Sequence, residues 1–229
     1  MSIRDNIISI KEKIALAAQR AGRKPEEVKF VAVSKTKPIA LVREAMEAGQ
    51  VDFGENKVQE LREKHPLIPQ INWHMIGHLQ RNKVKYIAPF VYLIHSVESE
   101  RLLQEIDKQA EKNGRTINCL LQLNISEEEA KSGLNESSAQ ELLSRMDQFL
   151  HVCIHGLMGM ASLTDDRKLI RSQFRRLRNA FELFRQIDHP RIQMQELSMG
   201  MSGDYEIAIK EGATLLRIGS AVFGAREKN

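Results

Sequence analysis

Val28-Lys-Phe-Val-Ala-Val-Ser34 is the stretch on which the fold turns. It is a compact run rich in β-branched residues and reads as a strand. What comes next matters as much. Residues 35–38 are Lys-Thr-Lys-Pro. No G-x-G-x-x-G turn follows, so the strand does not open the dinucleotide-binding unit of a doubly wound sheet. Pro38 instead opens a helix that runs to Ala48 and is stopped by Gly49.

The same strand-then-helix pattern recurs outward from this point. Strands are expected at 51–54, 72–77, 91–95, 116–123, 152–157, 196–199 and 214–218. Helices are expected at 57–64, near 81–86, and at 99–112, 137–149, 166–186 and 204–211. Strands that alternate with helices imply a parallel sheet, and eight such units favour an α/β fold of the closed (β/α)8, TIM-barrel type. Upstream, Ile3, Ile7, Ile10, Ile14 and Ala17 fall on one helical face, with Ser2 and Asp5 as a capping box and Gly22 as the stop. The chain of 229 residues is long enough for one such barrel with an extra N-terminal helix, and no Gly/Ser/Pro-rich linker divides it. One domain over residues 1–229 is expected. The longest irregular stretch, 124–136, is expected to be a mobile loop on the functional rim, and its pattern leaves open whether it gates a site.

Composition removes several classes of function. Hydrophobic residues at 42% and charged residues at 28% are ordinary for a globular chain, which excludes global disorder. Thirty-four basic against 30 acidic residues leave only +4, too slight to demand nucleic acid. The basic run Arg167, Lys168, Arg171, Arg175, Arg176, Arg178 and Arg185 has Asp165, Asp166 and Glu182 interleaved and no aromatic platform, so it reads as a solvated helix face. No apolar stretch approaches a membrane span, and no signal core follows the N-terminus. Cys119 and Cys153 sit in apolar runs and read as buried thiols in a reducing cytoplasm. The spacings His74/His78 and His151/His155 would suit a metal on a helix, but both lie on strands, so no metal site is expected.

In a barrel of this kind the functional face is the C-terminal end of the strands. That places Ser34-Lys35-Thr36, Gly54-Glu55-Asn56, Gly77-His78, His95-Ser96 and Met158-Gly159-Met160 at the mouth. The last two strands end in SMGMSGD (198–204) and RIGSAVFG (217–224). Loops after these strands often form an anion site, with glycine admitting backbone N–H groups and serine adding hydroxyls. Either cluster alone reads as a plain turn, whereas the two together favour a phosphate. Lys35 ends an apolar strand, where lost hydration could turn its amine into a nucleophile toward an aldehyde. An exposed strand-end lysine is the commoner case, and Lys37 shares its parity. A phosphate pocket and a partly buried lysine in one mouth suggest pyridoxal 5'-phosphate, PLP.

Eight motifs carry a wider resemblance: FVAVSKTKP (30–38), DFGENKVQE (52–60), WHMIGHLQRNK (73–83), HSVES (95–99), AKSGL (130–134), HGLMGM (155–160), LSMGMSGDYEIAI (197–209) and RIGSAVFGAR (217–226). In order and over essentially the whole chain, they resemble the pyridoxal phosphate homeostasis proteins, whose fold is similar to the N-terminal barrel of alanine racemase. The resemblance implies that Lys35 forms an aldimine with PLP and that Asn56 lies beside the ring or the phosphate arm. It also implies that Ser198, Ser202, Gly219 and Ser220 line the phosphate, with Met199 beside them in the binding set, and that Arg217 faces the pyridine nitrogen. Two positions depart from the family pattern: Ser220 stands where threonine is frequent, and Gly203 where an acid is frequent.

The function implied is a cytoplasmic, monomeric carrier without strong catalysis. It would hold PLP, take part in its homeostasis and pass it to PLP-dependent apo-enzymes. No catalytic residue, nucleic acid or membrane is expected. The alternative is a weak PLP-dependent amino-acid racemase. Alanine racemase completes its site with a second, C-terminal domain and a dimer partner. Asn229 falls eleven residues after Ile218, so no such domain is expected here. A one-sided site leaves the cofactor wet and without a second acid/base group.

Overall fold

The computed structural model describes residues 2–126 and 132–224. Its eight strands are β1 (Lys29–Val33), β2 (Asp52–Glu55), β3 (Asn72–Met75), β4 (Leu93–Val97), β5 (Ile117–Gln122), β6 (Val152–Met158), β7 (Ile192–Met201) and β8 (Leu215–Ile218). Each pairs in parallel with the next, and β8 returns to β1, with Lys29 opposite Leu215 and Ala32 opposite Ile218, to close the barrel. The helices are α1 (Ile3–Arg20), α2 (Ile39–Glu47), α3 (Val58–Lys64), α4 (Glu100–Lys112), α5 (Glu136–Leu143), α6 (Arg167–Phe184), α7 (Tyr205–Lys210) and α8 (Ser220–Phe223). Between β3 and β4 a 3-10 helical segment, Arg81–Tyr86, takes the place of an α-helix.

Strand alternation builds two apolar layers. Phe53 and Trp73 point outward into one continuous core that also takes in helix side chains such as Phe174 and Phe184, all fully buried. Val31, Leu93, Leu120, Met158 and Leu215 form a smaller cluster of their own, the apolar part of the barrel interior. Helix α1 begins with the expected capping box, in which the Asp5 N–H donates to Ser2 Oγ at 3.1 Å and the Ser2 N–H to Asp5 at 3.0 Å. Its isoleucine face is buried against α2, α7 and α8, and Asn6 donates to the Val222 carbonyl at 2.9 Å.

Several elements differ from the sequence reading, β4 among them, which runs over Leu93–Val97 rather than 91–95. Strand β7 begins at Ile192 rather than 196 because Ile192 and Met194 are buried while Gln193 and Gln195 are exposed, a two-residue alternation that extends the strand backward. Helix α5 ends at Leu143; a separate 3-10 turn at Met146–Gln148 follows, and both Met146 and Phe149 are buried. Helix α8, four residues long, directly follows the turn at Gly219. Of the expected rim loop, residues 127–131 lie outside the described residues, as do Ala130 and Lys131 of the AKSGL motif. Its two ends are held together, because the Asn124 N–H donates to the Leu134 carbonyl at 2.9 Å and the Leu134 N–H to Gln122 at 2.8 Å.

Gly156 sits where β6 shifts register against β5 and β7, with φ 146°. A Cβ there would lie 1.9 Å from the Glu196 carbonyl oxygen, so no larger residue fits. Cys119 and Cys153 are buried and unlinked. Burial pushes the Cys119 thiol up, away from the reactive thiolate. Among the described residues, no helix is long and apolar enough to cross a membrane.

Candidate functional site

The C-terminal mouth of the barrel holds a cavity of about 550 Å³, within the usual range for small-molecule sites. Its β1 wall follows from strand parity. Phe30 and Ala32 face the helices, Val31 faces the interior, and Val33 and Lys35 continue the inward parity to line the cavity. Lys35 is half-buried there, with Lys37 beside it and Asn56 entering from the end of β2.

Ser34, of opposite parity, turns into a buried charge cluster between β1, β2 and α3. Its hydroxyl donates to Glu55 Oε1 at 2.7 Å. The Lys64 ammonium donates to Glu55 Oε1 at 2.7 Å, to Glu60 Oε2 at 3.0 Å and to the Ser34 carbonyl at 2.9 Å. Glu60 also accepts the Thr36 N–H at 2.8 Å. Thr36 has φ 62°, a left-handed conformation that a β-branched residue rarely adopts. The cluster thus clamps the backbone on both sides of Lys35. Burial pushes the Glu55 carboxyl up to about 7 against the pull of the Lys64 ammonium.

The opposite wall comes from β7 and β8. Ser202, Gly203, Gly219 and Ser220 line the cavity, with Met201 at its edge. Arg217 reaches it from beneath, through the barrel interior, and is buried. Its Nη1 donates to the Ser198 carbonyl at 2.9 Å and to Ser198 Oγ at 2.6 Å, and its Nη2 to the Gly159 carbonyl at 3.0 Å. Three of its five N–H donors are thereby used, and two remain. Burial lowers its pKa to about 10, so it stays a cation at neutral pH. Among the described residues, no carboxylate lies within ion-pair distance of it, and the charge of Asp204 favours the cation from further away.

Of the residues singled out from sequence, Lys35, Asn56, Ser202, Arg217, Gly219 and Ser220 share this one cavity. Ser198 lies one layer below, fully buried, and reaches the cavity only through Arg217. Met199 is not on the cavity wall, because its side chain has the outward parity of β7 and is buried in the outer core. Gly200 serves packing rather than an anion. Its φ is 92°, and a Cβ there would lie 2.5 Å from the Ala208 side chain of α7. His74 does not meet His78. It meets His95 of the neighbouring strand at 3.0 Å, and His78 instead pairs with Glu98 at 2.8 Å. No group of three or more metal-ligating side chains occurs among the described residues. On α6, Arg171 and Arg175 pair with Glu211, while Arg178 and Arg185 pair with Glu182, the behaviour of a solvated face.

The sequence reading missed two features, the Glu55–Lys64 cluster and the buried histidine pair. Each left a faint signal. Glu60 and Lys64 have helical i,i+4 spacing, and His74 and His95 each occupy an inward position on an otherwise apolar strand.

A barrel whose mouth brings together a half-buried lysine, a buried arginine and two serines defines a class. Residues 6–227 match the family described as "Alanine racemase, N-terminal domain". Over 99% of its length the chain is 38% identical to a pyridoxal phosphate homeostasis protein of Pasteurella multocida, covering 99% of that protein. It is 41% identical to the one of Pseudomonas aeruginosa, over 99% of this chain and 96% of that one. PipY of Synechococcus elongatus, solved with PLP bound, superposes with a TM-score of 0.85 at 34% identity, over 97% of this chain and 100% of that one. Alanine racemases are similar at 13–18% identity, which shows the fold alone. The chain belongs to the pyridoxal phosphate homeostasis protein family.

Proposed function

We propose that this protein binds PLP in the mouth of the barrel, with Lys35 as the point of attachment, and takes part in holding and supplying the cofactor rather than in turning over a substrate. The observation that carries this reading is the donor set of one cavity. A lysine amine, a guanidinium with two N–H groups to spare and two serine hydroxyls suit, in turn, an aldehyde, a ring nitrogen and a phosphate.

When bound, PLP supplies an aldehyde that condenses with an amine with loss of water. The protein's part is positional. The clamp of Ser34, Glu55, Lys64 and Glu60 fixes the backbone around Lys35. Ser202, Ser220 and the neighbouring glycines receive the anion, and Asn56 lines the cavity from the end of β2. Arg217 is a fixed cation that offers donors and no acceptor, so a pyridine nitrogen facing it would stay unprotonated and serve poorly as an electron sink. The relatives are named for homeostasis rather than for a reaction, and the racemases share only the fold, which supports the carrier over the racemase. PLP-dependent apo-enzymes as recipients, a monomeric state and a cytoplasmic location belong to the same proposal. The buried, unlinked thiols suit that compartment.

The test is reduction of the PLP-loaded protein with borohydride followed by peptide mass analysis. The expected result is one adduct, on the peptide carrying Lys35, absent in Lys35→Ala. An adduct on Lys37, or none, overturns the assignment. Incubation with L-alanine is expected to give no turnover near the enzymatic norm of about 10 per second. Turnover of that order overturns the carrier reading.

A further inference from the structure

Beneath the mouth, a line of polar side chains crosses the otherwise apolar barrel interior. It runs from Arg217 on β8 through Ser198 on β7, His95 on β4 and His74 on β3 to Asp52 on β2. Arg217 Nη1 donates to Ser198 Oγ at 2.6 Å, and Ser198 Oγ lies 3.0 Å from His95 Nδ1. His95 Nε2 lies 3.0 Å from His74 Nδ1, and His74 Nε2 lies 3.2 Å from Asp52 Oδ1. Asp52 also accepts from Asn72 at 2.9 Å. Asp52 and His74 line a second cavity, of about 700 Å³, at the opposite end of the barrel.

The two ends of this line constrain the hydrogens between them. A guanidinium can only donate, and an ionised carboxylate can only accept. Burial works against ionisation of Asp52, yet the hydrogen bonds from His74 and Asn72 outweigh it and hold the carboxyl below its ordinary value. His95 is fully buried, and burial, with the charge of Arg217, holds it neutral. With one hydrogen on each ring, one arrangement makes every contact. Ser198 accepts from Arg217 and donates its hydroxyl hydrogen to His95 Nδ1; His95 Nε2–H donates to His74 Nδ1; His74 Nε2–H donates to Asp52. All the bonds point one way, from the cation under the mouth to the carboxylate at the far end. With neutral rings, reversing any link would leave two buried acceptors facing each other, either the two ring nitrogens or His74 Nε2 and the Asp52 carboxylate.

We infer that His95 and His74, oriented by Asp52, are positioning residues for Arg217. By holding the Ser198 hydroxyl as an acceptor toward the guanidinium, they fix which two of its N–H groups face the cofactor. The inference rests on the PLP reading above. Ser198 itself touches no cavity space, so its hydroxyl is explained by this line rather than by direct contact with the phosphate.

The line can be tested on the intact chain in two ways. Nitrogen-15 spectra of histidine-labelled protein without cofactor are expected to show His95 and His74 both protonated at Nε2 only. A proton on His95 Nδ1 overturns the assignment. The second arm measures the release rate and absorption maximum of bound PLP, with the melting temperature followed in parallel. His95→Phe is expected to speed release about tenfold and shift the maximum, and Asp52→Leu, remote from the mouth, about threefold. If both variants lower only the melting temperature and release PLP at the wild-type rate with an unshifted maximum, the positioning role is overturned while the binding reading stands. If the unaltered protein takes up no PLP, both fall together.

Discussion

The two walls of the mouth are built on different principles. The β1–β2 wall holds Lys35 by side chains: two carboxylates and an ammonium, packed between β1, β2 and α3, grip the backbone before and after it. The β7–β8 wall presents Ser202, Gly203, Gly219 and Ser220 on short turns, where conformation, rather than a charge cluster, sets the shape. An attachment point needs one amine held in one place, and a buried ion cluster does that at a cost in desolvation. An anion site needs several donors around a volume, and turns built from small residues provide them cheaply. The walls should therefore fail differently: the first by losing stability, the second by losing affinity.

The largest expected effect is on the first wall. Lys64→Met leaves Glu55 buried without its cation and should cost about 3–5 kcal/mol in denaturant unfolding at pH 8. The loss should shrink as pH falls toward 7, because without the Lys64 cation the Glu55 carboxyl takes up its proton above its native value of about 7. An unchanged unfolding midpoint at pH 8 would dissolve the distinction between the walls.

The next effect is on pH dependence. The folded-state pKa of Glu55, about 7, lies above its ordinary 4.5, so the native chain binds more protons between these values. Its contribution to stability therefore falls as pH rises from about 4.5 to 7 and is flat above. Relative to Glu55→Gln, the unaltered protein should lose up to about 3 kcal/mol across that window. His95 works in the opposite sense. Its folded pKa is depressed, so its contribution is present above 6.5 and is lost as pH falls below it. The two buried groups can be separated by the sign of the slope each variant removes.

The second wall gives a smaller effect of another kind. Ser202→Ala with Ser220→Ala removes two hydroxyl donors, and PLP affinity should fall at least about tenfold while the unfolding midpoint stays near that of the unaltered protein. Pyridoxal, lacking the phosphate, should bind the native protein much more weakly. Equal affinity would remove the anion from this wall. The smallest effect is expected at Thr36, whose φ of 62° suits glycine. Thr36→Gly should raise stability by about 0.5 kcal/mol while speeding PLP release, because the relieved turn holds Lys35 less firmly.

Much of this molecule could be read along the chain. Ile3, Ile7, Ile10 and Ile14 announced α1, and Ser2 with Asp5 announced its start. The alternation in 28–34, carried one step further, put Lys35 on the inward parity and Ser34 on the outward one. The serine–glycine clusters after the last two strands pointed to one rim. These are patterns within single elements, set by which face of a helix or strand is buried, and that information is local. Even β7 was legible, since Ile192 and Met194 alternate with glutamines, although the polar half of the alternation passed for loop.

What could not be read is which side chains meet. Met199 and Ser198 are neighbours in sequence, and strand parity sends one to the outer core and the other to the interior. His74 and His78 looked like a pair, but β3 lies on β4 with His74 opposite Leu93, and His95, two residues on and of the same parity, is the ring that meets it. Ser198 lies opposite Leu215 on β8, and the Arg217 side chain, two residues on, reaches back to it. Lys64 reaches Glu55 only because α3 folds back over β2. Each of these contacts joins residues from different elements, and closing eight strands into one ring with particular register shifts selects the partners. No single element carries that information, because a shift of one residue in any ladder would change which inward side chains share a layer.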